Sequence, residues 1–198
     1  MNDTLRTIEN RHSTRAFLDK PVPEKDLNRI LEAANKAPSA HNQQAWKFII
    51  IKGKKKNDLA NLISDSSHSF PRASAALLRM AARSILSAPV VIAVANSGEL
   101  IEHGTKLFQI EDMGVRDFFR TMEIQSSSAA VENLLIAATS LGIATVWLGI
   151  MFLIKDDVLD FLGEPKGEFM AVICAGYPEK ESSSPKKRPL NMLVKTIE

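Results

Sequence analysis

The chain has a single cysteine, Cys174, in 198 residues. No internal disulfide can form, and a metal site made of cysteines alone is excluded. Such a composition suits a reducing, intracellular compartment. Charge of one sign is scarce too: 25 Lys and Arg against 23 Asp and Glu leave a net charge of +2, which gives no argument for a nucleic-acid or membrane-surface partner. The longest apolar region, Ala75 to Ala95, is interrupted by Arg79 and Arg83, so a spanning helix is not expected. The first residues, Met-Asn-Asp-Thr-Leu-Arg, have neither the apolar core of a signal peptide nor an Arg/Ser-rich transit pattern, and a soluble, cytoplasmic protein is expected. Several motifs are missing as well. There is no Gly-x-Gly-x-x-Gly after a strand, no Gly-Lys-Ser/Thr phosphate loop and no Gly-x-Ser-x-Gly elbow. His12, His41, His68 and His103 are scattered without ligand spacing. A hydrolase driven by its own side chains is hard to build from this set.

What is present suits one domain, or one compact protomer of an oligomer, with 45% hydrophobic residues. Pro21-Val22-Pro23-Glu24 opens a helix that Leu27, Ile30, Leu31 and Ala34 continue and Pro38 closes. Trp46 to Lys52 reads as a strand, Gly53 to Lys56 as the turn after it, and Leu59, Leu62 and Ile63 as part of a helix. A helix over Ala73–Leu86, a buried strand over Pro89–Ala95, strands over 144–149 and 169–175 and a helix over Lys155–Leu162 follow. Residues 97–122, with Gly98, Gly104 and Gly114, read as an insertion able to cover a pocket. Ser126 to Leu141 has almost no polar face beyond Glu132 and Asn133, and a helix apolar all round is buried. Residues 179–198 read as an extended arm. Helices flanking short strands mean α+β or α/β. A helix this apolar in so short a chain points to a homodimer with a shared helical core.

Four clusters carry chemistry. Arg11-His12-Ser13-Thr14-Arg15 offers a guanidinium fork and a hydroxyl to a phosphate, with Arg15 free to meet another electron-rich part of the same ligand; alone, it also reads as a helix end with exposed arginines. Pro38-Ser39-Ala40-His41-Asn42-Gln43-Gln44-Ala45-Trp46 could hydrogen-bond a planar heterocycle, or be a helix-to-strand connection that satisfies itself. Pro185-Lys186-Lys187-Arg188-Pro189 is a basic tail segment, ordinarily solvated. Gly149 ends an apolar strand, where glycine allows a close ligand approach or makes a turn. Glu132 reads as a paired structural carboxylate, with Arg79 or Arg83 as its match, and Cys174 as an inert core residue.

Taken together, RHSTRAF (11–17), APSAHNQQAW (37–46), SSAAVENLLIAATSLGIATVWLG (127–149) and GYPEKESSSPKKRPL (176–190) resemble the nitroreductase family of FMN-dependent oxidoreductases. The resemblance implies a single α+β domain with a central mixed or antiparallel sheet, in an intertwined homodimer with FMN at the subunit interface and the 179–198 arm reaching over the partner. It implies that Arg11 and Ser13 hold the phosphate side and that Arg15 lies by the flavin's pyrimidine edge; His12 between them belongs to the cofactor-binding set as a packing or hydrogen-bonding residue, not an acid. Pro38, Ser39, Ala40 and Asn42 would pack against the flavin from the other subunit, and the backbone of Leu148 and Gly149 would face N5. Lys186 and Arg188 of the tail would close on the phosphate, with Lys187 as the spare. The implied enzyme takes hydride from NADH or NADPH and reduces nitroaromatics, quinones or flavins by a ping-pong mechanism, with no side-chain nucleophile. A relative dedicated to dehydrogenation, dehalogenation or flavin breakdown is the alternative, as is a non-catalytic flavin-binding module. Two departures from the family pattern stand out: Ala45 precedes the tryptophan where proline is common, and Gln125 and Ser126 stand where many relatives carry an acid.

Overall fold

The structure is a computed structural model that describes residues 1–108, 113–164, 168–180 and 183–197. Residues 109–112 of the expected insertion, and Glu181, Ser182 and Glu198 of the expected arm, lie outside the described residues. The helices are α1 (Asp3–Asn10), α2 (Glu24–Asn35), α3 (Lys54–Ser66), α4 (Arg72–Ser87), α5 (Glu99–Phe108), α6 (Met113–Ser140) and α7 (Lys155–Leu162). The strands are β1 (Trp46–Ile51), β2 (Val90–Asn96), β3 (Ala144–Trp147) and β4 (Phe169–Gly176). They form one antiparallel sheet in the order β1-β2-β4-β3, so the fold is α+β and no parallel pair occurs between these strands.

Every residue of β2 and β4 is buried, because helices cover both faces of the sheet. Alternation sorts the side chains between two cores. Val91, Ala93 and Ala95 join Val172 and Cys174 in a core with α3, α4 and α7. Val90, Ile92 and Val94 join Ala171 and Ile173 in a second core with Leu27, Ile30 and Ala34 of α2 and Ala130, Val131, Leu134 and Ala138 of α6. Strands enclosed on both sides read as unbroken apolar runs, which is why they stand out in the sequence. Cys174 is fully buried, and burial pushes its thiol far above the ordinary range.

Two segments differ from expectation. Gly53 to Lys56 is no turn: Gly53 (φ 56°) is the cap, and α3 begins at Lys54. Residues 97–122, expected as a part-helical insertion, are more helical than that: α5 occupies 99–108, and α6 starts at Met113, well before Ser126, and runs unbroken for 28 residues. Serine hydroxyls can compete for backbone groups and interrupt a helix. Here two of the hydroxyls donate back into their own helix, Ser126 Oγ to Met122 O (2.7 Å) and Ser128 Oγ to Ile124 O (2.7 Å), and Ser127 Oγ donates outside it to Asn96 Oδ1 of β2, so the helix continues. Its apolar side is covered within one protomer by α2 and the sheet, so that apolarity no longer argues for a dimer by itself.

α5 packs against α6. Gly104, on α5, sits against the Phe119 ring. Glu123, 1% exposed, accepts a hydrogen bond from the Leu100 amide (2.8 Å) at the start of α5. Burial raises the Glu123 carboxyl above its ordinary range, against the amides of Leu100, Ile101 and Gly98, which favour its charged form.

Candidate active site

The first cluster is an edge segment. α1, whose Asn2 side chain caps the Leu5 amide (2.9 Å), ends at Asn10, and the chain turns extended at Arg11 (φ −63°, ψ 123°). Ser13 bridges Thr145 of β3, the Thr14 amide donates to Thr145 O (2.8 Å), and the Leu18 amide donates to Tyr177 O (2.9 Å). Extended backbone alternates its side chains: Thr14 is buried between exposed Ser13 and Arg15, and Phe17 is buried further along the segment. The Ser84 hydroxyl donates to the Arg15 carbonyl (3.0 Å) and ties the segment to α4. His12 Nδ1 lies 2.8 Å from Asn10 O; a carbonyl only accepts, so Nδ1 carries the hydrogen.

The tail returns to this segment. Ser184 Oγ lies within reach of the carbonyls of Glu9 (3.0 Å) and Arg11 (3.1 Å). A hollow of about 360 Å³ results, lined by Arg11, His12, Ser13, Arg15, Ser183, Pro185 and Lys187. Of the tail's basic residues, Lys187 lines it, and Lys186 and Arg188 do not. Consecutive side chains cannot all face one side, and Pro185 and Lys187 are two apart. Glu132 pairs with Arg11 (Nε to Oε1, 3.6 Å), not with Arg79 or Arg83, because α1 leads directly onto α6; Arg79 instead points Nη1 at Ser67 Oγ (3.5 Å). Three cations and a serine hydroxyl around one opening can hold a phosphate-sized dianion.

The second cluster is a strained loop. His41 (φ 52°), Asn42 (φ 53°) and Gln44 (φ 50°) all take left-handed backbone, sparsely populated by non-glycine residues. Hydrogen bonds hold the loop: the Asn42 amide to Ser39 O (3.0 Å), the Gln43 amide to Ala40 O (3.0 Å) and the Gln44 amide to Ser39 Oγ (3.1 Å). The Ala40 amide donates to Ser126 Oγ (3.1 Å) on α6, and Trp46 Nε1 to Asn35 Oδ1 (3.0 Å) on α2. Pro38, Ser39 and Ala40 line a hollow of about 240 Å³ with Met122, Gln125, Ser126 and Ala129. It shares no residue with the cationic hollow, and Asn42 lines neither. Leu148 is buried, its amide donating to Val172 O (2.9 Å), and exposed Gly149 begins a turn of 3-10 helix. Within one protomer, then, the structure joins Arg11, His12, Ser13 and Arg15 to the tail and leaves the 38–42 segment apart. Sequence reasoning ranked Lys186 and Arg188 ahead of Lys187, which it kept as the spare, and it missed Glu132 as the partner of Arg11.

These features define an α+β protein with a hollow lined by basic side chains from both ends of its described chain. The chain belongs to the nitroreductase family, whose model matches residues 8–177. A protein of Archaeoglobus fulgidus that carries the provisional name NADH dehydrogenase/NAD(P)H nitroreductase is 30% identical over 186 residues, 91% of this chain and 88% of that protein. An NADH dehydrogenase of Thermus thermophilus is 26% identical over 93% of this chain and 91% of its own. Among solved structures, a provisionally named nitroreductase in complex with FMN from Desulfovibrio desulfuricans superposes with a TM-score of 0.72 at 26% identity, covering 100% of this chain and 98% of that one.

Proposed function

We propose that the protein is an FMN-dependent oxidoreductase that takes electrons from NADH or NADPH and delivers them to a small electron acceptor, a nitroaromatic, quinone or free flavin. The observation that carries the reading is the convergence of Arg11, Ser13, Arg15 and Lys187 on one hollow. FMN supplies the hydride chemistry when bound, so the chain's part is to hold and orient it. Arg11 and Lys187 face the phosphate, Ser13 adds a hydroxyl donor, His12 borders them, and Lys186 and Arg188 flank Lys187 in the same basic run. With FMN bound, Arg15 would serve the pyrimidine edge and would stabilise negative charge there, an interaction of about 3 kcal/mol for an oriented donor. The backbone of Leu148 and Gly149 would serve the reactive edge.

The site is completed by a second copy, which contributes Pro38, Ser39, Ala40 and Asn42. Two features support the homodimer. The 38–42 segment lies apart from the cationic hollow in one protomer. Leu5 and Ile8 of α1 and Leu190, Met192, Leu193, Val194 and Ile197 of the arm are exposed, an apolar set suited to covering a partner. Donor and acceptor take turns on the same open face in ping-pong order. Among the described residues no helix is long and apolar enough to cross a membrane, and a cytoplasmic enzyme fits this reading.

The test is the visible spectrum of the purified protein and its response to NAD(P)H under anaerobic conditions. A yellow protein that bleaches on NAD(P)H addition and regains colour with a quinone fits the proposal. A colourless preparation that does not take up added FMN refutes it. A yellow protein that never bleaches refutes the catalytic part and leaves a flavin-binding module.

A further inference from the structure

We propose that Gln44 is a positioning residue that fixes the Asn42 amide as a hydrogen-bond donor to the flavin; this rests on the reading above that the 38–42 segment meets FMN. The atoms determine their own roles. Gln44 Nε2 lies 3.1 Å from the Asn42 backbone oxygen. A carbonyl oxygen only accepts, so the Gln44 atom there must be its NH₂ group. The same nitrogen lies 3.1 Å from Asn42 Oδ1, and because it donates, the Asn42 atom facing it must be oxygen. Asn42 Nδ2 is thereby left as the donor not engaged by Gln44, with the side chain unable to flip without losing the bond.

The backbone supports the same assignment. Gln44 sits at φ 50°, a region where a long side chain gains nothing locally and which persists only when its surroundings impose it. Ser39 Oγ imposes it by accepting the Gln44 amide (3.1 Å). Both Asn42 and Gln44 are exposed in the single protomer, so the brace is not a by-product of core packing. An exposed amide pair held in strained backbone, ahead of the Trp46 strand, is a pre-organised donor.

Gln44→Gly is the direct test, since glycine takes φ 50° without strain and only the brace is lost. Gln44→Glu is the isosteric companion, whose carboxylate cannot donate to Asn42 Oδ1. FMN titration by flavin fluorescence gives the dissociation constant, and dye equilibration gives the midpoint potential of the bound flavin. Both variants are expected to raise the FMN dissociation constant about tenfold and to shift the potential in the same direction as Asn42→Ala, while Gln44→Gly keeps or raises the melting temperature. If both Gln44 variants match wild type in affinity and potential while Asn42→Ala shifts them, the positioning role is overturned. If Asn42→Ala itself changes neither, the contact of this segment with FMN falls, and the positioning role with it.

Discussion

Gly104→Ala sets two known effects against each other. In the interior of an exposed helix the change stabilises by about 1 kcal/mol. Here a Cβ at position 104 would lie well inside 3.0 Å of three Phe119 ring carbons, Cε2, Cδ2 and Cζ, where carbon contacts normally sit at about 3.5–4.0 Å. The ring cannot swing aside freely. Phe119 is 1% exposed, with Phe108 at 5.4 Å and Phe118 at 5.1 Å between ring centroids. Overpacking of this kind costs about 1–3 kcal/mol, so the net expectation is a destabilisation of up to about 2 kcal/mol. In a chain of this length each kcal/mol lowers the melting temperature by about 2–4 °C. Urea unfolding and calorimetry of Gly104→Ala read this directly, and Phe119→Leu in the same background should recover most of the loss by making room. A Gly104→Ala protein more stable than wild type by about 1 kcal/mol would refute the close approach of α5 to α6.

The other predictions concern charge. Burial raises the Glu123 carboxyl, so its contribution to stability is fully present below the ordinary carboxylate pKa and is lost as pH rises through the raised folded value; a Glu123→Gln variant followed by urea unfolding against pH should lack that decline. For Glu168, burial is the largest single influence and raises the carboxyl, but hydrogen bonds from Arg120 (2.8 Å) and Lys155 (3.3 Å), with their charges, outweigh it and lower it overall. Its contribution is therefore present above the ordinary carboxylate pKa and lost as pH falls through the lowered one, and Arg120→Ala should weaken that acid-side loss in the same assay. Glu132 pairs with Arg11, and on the proposed function it would compete with the FMN phosphate for that guanidinium, so Glu132→Ala should tighten FMN by up to about fivefold, the worth of a partly exposed pair; weaker binding on fluorescence titration would count against Arg11 as a phosphate ligand.

Much of the fold was legible because burial leaves a simple imprint. β2 and β4 are enclosed on both faces and read as continuous apolar runs, and α2 declares itself through Pro23 and the spacing of Leu27, Ile30 and Ala34. What was hidden depended on partners distant in sequence. Whether Ser126–Ser128 interrupts or continues a helix is decided by where three hydroxyls donate. Which of Lys186, Lys187 and Arg188 enters the hollow is decided by Ser184 docking on the carbonyls of Glu9 and Arg11, a contact across more than 170 residues. By composition the RHSTR segment reads either as an anion site or as a helix end with exposed arginines. Its alternation of buried Thr14 with exposed Ser13 and Arg15 came only from the bridge to β3, as did the pairing of Arg11 with Glu132 from the way α1 meets α6.

The most direct test of the central claim compares FMN with riboflavin, which lacks the phosphate, by equilibrium dialysis against wild type and Arg11→Ala. Each charge-assisted contact to phosphate contributes about 1.5–3 kcal/mol. Wild type is therefore expected to prefer FMN by at least about a hundredfold, and Arg11→Ala to lose about tenfold of that preference with riboflavin binding unchanged. Equal binding of the two flavins by wild type would contradict the account.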